Sequence, residues 1–282
     1  MTSCPETART GTFPARSLAA AGAIGVMLAM VSPPLHAQSD PASPSAPAAS
    51  PQQTVTSWNV NLGLGVAARP VYPGAKRYEA SPVPMLSVRY RDTVFLTPEG
   101  LGINLVNYNG FRAGPLLSYF AGRDQGDDAR LNGLGDIQPS LAAGAFLAYR
   151  FDPFEVAAEL RQAVTHTGNG LLGSVRADYR TRITPQAVLT LGLDMHLANG
   201  KYERTWFGVS DRQSANSGLP VYTPGGGLQD VGLHANLTWN WSRHIATHVF
   251  VAVKQLVSDA ADSPIVERKT QVMGGVGLGY RF

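Results

Sequence analysis

The chain has 282 residues, 44% of them hydrophobic but only 15% charged, against the roughly 25% usual in soluble domains. Its 23 Lys and Arg against 20 Asp and Glu give a formal net charge of +3, spread without a run of like charge, so a nucleic-acid footprint is excluded. The apolar content excludes disorder for the bulk of the chain, and no stretch reaches the roughly 18 apolar residues of a spanning helix. The single cysteine, Cys4, excludes an internal disulfide or a Cys-based zinc site.

In chain order, Arg9 and Arg16 precede an apolar run from Leu18 to Val31, which Ser32-Pro33-Pro34 ends ahead of Ala37. This pattern reads as an export signal over 1–37, cleaved after Leu35-His36-Ala37. The run is too short for a membrane anchor. Residues 38–57, almost all Ser, Pro, Ala and Gln, read as a disordered linker that cannot bury a core.

From residue 58 onward the pattern has a period of two. Trp58, Val60, Leu62, Leu64 and Val66 share one face, and Asn59, Asn61, Gly63, Gly65 and Ala67 the other. The same holds for Leu141 to Phe151, Phe154 to Leu160, Ala187 to Met195, Val231 to Trp241 and Val272 to Phe282, with no charge on the apolar face. Twelve strands are expected, at 58–68, 83–90, 93–97, 101–107, 112–120, 139–151, 154–163, 171–181, 186–196, 228–241, 244–256 and 270–282. The longer runs match the 9–11 or so residues that cross a bilayer at a tilt. Aromatics stand at the ends of the apolar faces, and short connections alternate with long ones. The expected fold is all-β: a closed transmembrane antiparallel barrel of about 12 strands over 58–282, or ten if the short third and fourth runs merge. The connection at Pro98–Gly100 is shorter than its place on the outer side calls for.

The final strand ends on Phe282, with Tyr280, Leu278 and Val276 behind it in steps of two. A terminal aromatic on an amphipathic last strand resembles the signal read by the barrel assembly machinery. Tyr280 and Phe282 are therefore candidate assembly residues, and the expected location is the outer membrane of a Gram-negative cell, crossed many times and bathed in outer-membrane lipid.

Two outer connections carry sequence too particular for plain loops. One holds Phe207, Ser210, Gln213, Ser217, Leu219, Pro220 and Tyr222, and the other Asp259, Asp262, Ser263 and Pro264. Together with Gly63-x-Gly65, the Pro70–Gly74 turn, Pro82-x-Pro84 and the closing Gly279-Tyr280-Arg281-Phe282, they resemble the MipA/OmpV family of outer-membrane proteins over essentially 58–282. One departure is visible, since Ala75-Lys76 stands where a Ser-Asp pair is expected. The resemblance implies a non-enzymatic scaffold linked to a murein lytic transglycosylase and a peptidoglycan synthase, or a role in adhesion or osmotic response.

The lumen-facing charges Glu155, Glu159, Arg161, Arg176, Asp178, Arg180 and Asp194 come from three consecutive strands. They could select ions or bind a polar solute; equally they could pair into a network that fills the lumen. With Lys254 and Arg281 they number five positive and four negative, a balance that favours pairing over a pore of one sign. His196, His234 and His248 also face inward, and a metal site there would need a further ligand at the same height. No His-x-Ser pair occurs on one strand, and Ser210, Ser214, Ser217 and Ser263 have no neighbouring histidine, so no catalytic residue, metal or cofactor is assigned. The two loops are candidates for binding or gating, or for a simple plug, and are expected to pack together over the barrel mouth. Three functions compete: the scaffold, a small-solute channel, and a barrel hydrolase of lipid.

Overall fold

The computed structural model describes residues 58–282, so the expected export signal and linker lie outside the described residues. Thirteen strand segments follow in order: β1 (Trp58–Pro70), β2 (Tyr78–Tyr90), β3 (Val94–Thr97), β4 (Gly100–Ile103), β5 (Val106–Tyr108), β6 (Phe111–Phe120), β7 (Ser140–Phe151), β8 (Phe154–Ala163), β9 (Leu171–Arg182), β10 (Ala187–Ala198), β11 (Gly227–Asn240), β12 (Ile245–Leu256) and β13 (Thr270–Arg281). Neighbours pair antiparallel, β1 pairs with β13, and β4 pairs with β6, which closes the sheet on itself. Closure leaves no continuous edge, and nearly all of the wall is paired on both sides, as a membrane span requires.

Thirteen segments make twelve staves, because β4 and β5 both pair with β6 and are two pieces of one strand. Leu101 pairs with Leu117 but Val106 with Ala113, so the register slips by one residue between them. The cause is Asn104. Its backbone N–H donates to Thr93 O at 2.7 Å and its side chain to Asp92 O, which draws it toward the β2–β3 turn. Residues 101–107 are thus an interrupted strand rather than a continuous one. At this crossing Gly114 is obligatory, since a Cβ there would lie 1.7 Å from Ile103 O.

The β3–β4 hairpin turns early, which accounts for the short Pro98–Gly100 connection. It leaves the outer part of β2 paired with β1 alone: β2 meets β3 only at Val88–Tyr90. β2 also begins at Tyr78, five residues before the sequence pattern suggests, because Pro82 and Pro84 break the apolar alternation without ending the strand. Val60 O accepts from Phe282 N, so even-numbered residues of β1 bond toward β13 and odd-numbered ones toward β2. Pro82 and Pro84, opposite Val66 and Leu64, therefore aim their nitrogens at the free edge. Two missing donors blunt the edge at its exposed stretch.

The outward face is apolar and exposed, with Leu64, Val66, Leu141, Leu160, Leu193, Leu233 and Leu278 among its members. A charge at its middle would cost about 2–4 kcal/mol. Among the described residues no helix is long and apolar enough to cross a membrane; the strands do so. The short turns define one rim, taken as periplasmic, and both ends of the barrel lie there, with Asn61 opposite Arg281. The aromatic belt gathers at that rim. Trp58–Tyr90, Tyr149–Phe151, Phe151–Phe154, Phe154–Tyr179, Trp239–Trp241 and Tyr280–Phe282 are ring pairs with centroids 4.6–5.9 Å apart. The buried apolar cores sit at the opposite, outer mouth.

Candidate functional site

Residues 197–227, expected as a long loop, fold into two short helices, α1 (Gly200–Phe207) and α2 (Asp211–Ser217); the next outer connection holds α3 (Ser258–Asp262). Asn199 starts α1: its Oδ1 accepts from Tyr202 N at 3.0 Å and also from Leu171 N at 3.1 Å, so the cap fixes the helix to β9. Tyr202 then packs with Phe120, Ala142, Ala163, Leu172 and Ala198. These come from five successive strands of the wall, so α1 stands inside the mouth. α2 begins with a reciprocal cap, in which Ser210 and Gln213 each bond the other's backbone N–H, and ends at Gly218 in the left-handed region (φ 74°).

A second cluster spans the opening. Tyr72, Ala75, Leu131, Leu134, Val209, Leu219 and Ile265 form one buried core drawn from four connections. Ala75, at the position where the sequence departs from the Ser-Asp pair, is fully buried in it. The two particular loops meet directly. Ser263 Oγ donates to Phe207 O at 2.6 Å, Tyr222 OH donates to Asp259 O at 2.8 Å, and Asp259 Oδ2 accepts from Gly225 N at 2.7 Å. Phe207, Leu219 and Ser263 are buried, whereas Ser210, Pro220, Asp259 and Asp262 are exposed. Gln213 Nε2 donates to Leu134 O, Ser217 Oγ to Gln213 O, and Arg130 to Pro264 O; Asp262 pairs with Lys269 at 2.9 Å. Most of these contacts are structural, which leaves the exposed set as the surface an outer ligand would meet.

Residues the sequence reading passed over complete the cap. Arg123 is buried, donates to Trp206 O at 3.0 Å, and is lowered by that burial to a pKa of about 10. Tyr72 donates to Ile265 O, and burial beside Glu267 raises its phenol. Glu203 is only 2% exposed, and neither carboxylate oxygen has a partner among the described residues. Burial, with Asp259 and Asp230 nearby, pushes it up to about 7. The apolar spacing Leu131-x-x-Leu134 in an otherwise polar loop was the available sign of the cap.

Below the cap the lumen is charged and largely paired, but not as the strand grouping suggests. Glu155 bonds Arg112 at 2.9 Å and also Arg150, which lie on β6 and β7. Arg176 meets Asp178 at 3.2 Å, and His234 bridges Asp178 and Asp194 at 3.0 and 3.1 Å. Arg161 leans over the Phe120 ring, while Glu159 and Arg180 have no ion partner within 4 Å among the described residues. His248 is removed from His234 and bonds Thr238, so those two histidines form no common site. Asp194, His196 and Asp230 do converge, with ligand-type atoms within 4.8 Å of one another. Such a set could hold a divalent cation, but Lys254, 3.8 Å from Asp230, already supplies positive charge.

The architecture is that of an outer-membrane barrel, and comparison with known proteins agrees. The profile of the family described as "MltA-interacting protein MipA" matches residues 62–282. The chain is similar to the MltA-interacting protein of Escherichia coli (strain K12), 23% identical over 233 residues, covering 80% of this chain and 90% of that protein. The protein of the same name from Shigella flexneri matches with the same figures. Among solved structures, the KdgM porin aligns at 11% identity and TM-score 0.41 over 79% of this chain and 99% of that one. The NanC porin aligns at 8% and 0.42 over 79% and 100%. Family profile and motifs coincide over the barrel: this chain belongs to the MltA-interacting protein MipA family.

Proposed function

We propose that the protein is a non-enzymatic scaffold in the outer membrane of a Gram-negative cell, delivered by the signal at 1–37. Its periplasmic rim, with the linker at 38–57, would dock a murein lytic transglycosylase and a peptidoglycan synthase. The observation that carries the reading is the cap: loops from four connections share a buried core across the outer mouth, which suits a body that anchors partners better than one that passes solutes. The relatives are named for interacting with MltA. The test is cross-linking and co-purification of the full chain with both enzymes from detergent-solubilised envelopes. Recovery of the transglycosylase, lost when 38–57 is deleted, supports the reading; recovery of neither enzyme contradicts it.

A second reading, a small-solute channel, is favoured by the cavity of about 350 Å³ under the cap, lined by Glu159, Arg176, Asp194, His196, His234 and Lys254. Replacing Phe207 and Tyr222 with Ala separates the two. Raised bilayer conductance at unchanged melting temperature favours a gated channel; lowered melting without conductance favours a plug.

A further inference from the structure

The two ends of the lumen differ in charge. The cavity under the cap is balanced, with Glu99, Glu159 and Asp194 facing Arg161, Arg176 and Lys254. A separate cavity of about 590 Å³ opens at the periplasmic end. Arg180, Arg182, Arg243, Arg281, His244 and His248 line it, and no carboxylate does. Elsewhere five arginines pair with a carboxylate: Arg69 with Glu79, Arg77 with Asp128, Arg112 and Arg150 with Glu155, and Arg176 with Asp178. The four arginines of this vestibule have no carboxylate within 4 Å among the described residues.

The strand period explains their convergence. Arg180 and Arg182 share the inward parity of Asp178 on β9, Arg281 that of Gly279 on β13, and His248 that of Lys254 on β12, while Arg243 and His244 form the turn between β11 and β12. Hydrogen bonds hold part of the set in place. Arg281 Nε donates to Asn61 Oδ1 at 3.1 Å, which leaves the rest of its guanidinium fork free. His244 Nδ1 contacts Arg281 O at 2.9 Å, and His248 Nδ1 contacts Thr238 Oγ1 at 3.2 Å. The β13 wall is bare: a Cβ at Gly279 would stand 3.2 Å from His248 Nε2, so the glycine keeps open the space the bases face.

We propose that this vestibule is a binding site for a compact multivalent anion, bearing phosphate or carboxylate groups, that enters from the periplasm. Unpaired guanidinium forks in a partly enclosed space suit planar, bidentate recognition of such groups. The volume is that of a small-molecule site, and the cap makes the periplasmic rim the way in. The proposal is independent of the scaffold reading and stands or falls separately.

The test is calorimetric titration of the folded full chain in non-ionic detergent with inorganic tripolyphosphate and, separately, with tricarballylate, at low and high salt. Saturable binding of either probe, weakened by salt, is expected; which probe binds tells phosphate from carboxylate. Arg180→Gln with Arg182→Gln should weaken binding at least about tenfold, Arg180→Lys with Arg182→Lys less, and Arg69→Gln at the outer rim not at all. Retained heat-resistant gel mobility shows that each variant is folded. In a second readout, alkylation of Ser242→Cys, made with Cys4→Ser so that it is the one thiol of the chain, should slow several-fold when the bound probe is present. No saturable binding, equal binding by the Gln variants, or equal loss in the outer-rim variant would overturn the proposal.

Discussion

At the residue scale, Glu203 is a costly placement: a buried carboxyl with no partner among the described residues. Raised to about 7 from an ordinary 4.5, it stays protonated in the folded state over a range where the unfolded chain has ionised. The unfolded state then binds fewer protons, so cap stability falls as pH climbs from about 4.5 to about 7 and levels off above. Glu203→Gln should match the parent near pH 4 and exceed it near pH 8 by about 2 kcal/mol, somewhat less than the full shift because solvent at the mouth screens it. Hydrogen exchange of the α1 amides at both pH values reads this directly; protection independent of pH in the parent contradicts it. Phe282 makes a second residue-scale prediction. Its N–H bonds Val60 O where β13 closes on β1, and its ring packs 4.9 Å from Tyr280. Deleting it should reduce the heat-resistant barrel in the outer membrane several-fold, and normal levels would remove the inferred signal role. Phe207 and Leu219 announce burial because they are too apolar for solvent-exposed loops, but Glu203 does not, since a glutamate between a tyrosine and an arginine reads as solvated until α1 is seen to enter the mouth.

At the element scale, the strands are legible because a lipid-facing position tolerates no charge, which writes a period of two into the sequence wherever a strand crosses. What that period misses has specific causes. Asn104 bonds the adjacent turn and splits one strand into β4 and β5. Pro82 and Pro84 look like a turn yet sit on the outer half of β2, where only one side is paired. The helices of the cap span less than three turns each, too short for a helical period to stand out from a loop. The prolines carry a prediction. Pro82→Val with Pro84→Val restores two backbone donors on an exposed edge, so the variant should form larger species in detergent than the parent does. Light scattering on both proteins checks it, and an unchanged mass would mean that the edge is covered by something other than proline chemistry.

At the scale of the whole molecule, the barrel is polarised from rim to rim. Outside, four connections converge on a buried core and α1 fills the mouth; inside, the aromatic belt and the unpaired arginines gather at the rim of short turns. The closed architecture and the particular loops could be read from the sequence, because both are written in local patterns. The polarity could not, because it depends on which loop lies over which stave and on pairings such as His234 with Asp178 and Asp194 across three strands. The central claim is that the barrel's own loops seal its outer mouth. The most direct measurement is single-channel recording in planar bilayers, with the full chain beside a variant in which 200–226 is replaced by a short Gly-Ser turn. The parent should be silent and the shortened barrel should conduct in discrete steps. A parent that conducts as well as the shortened barrel would contradict the seal.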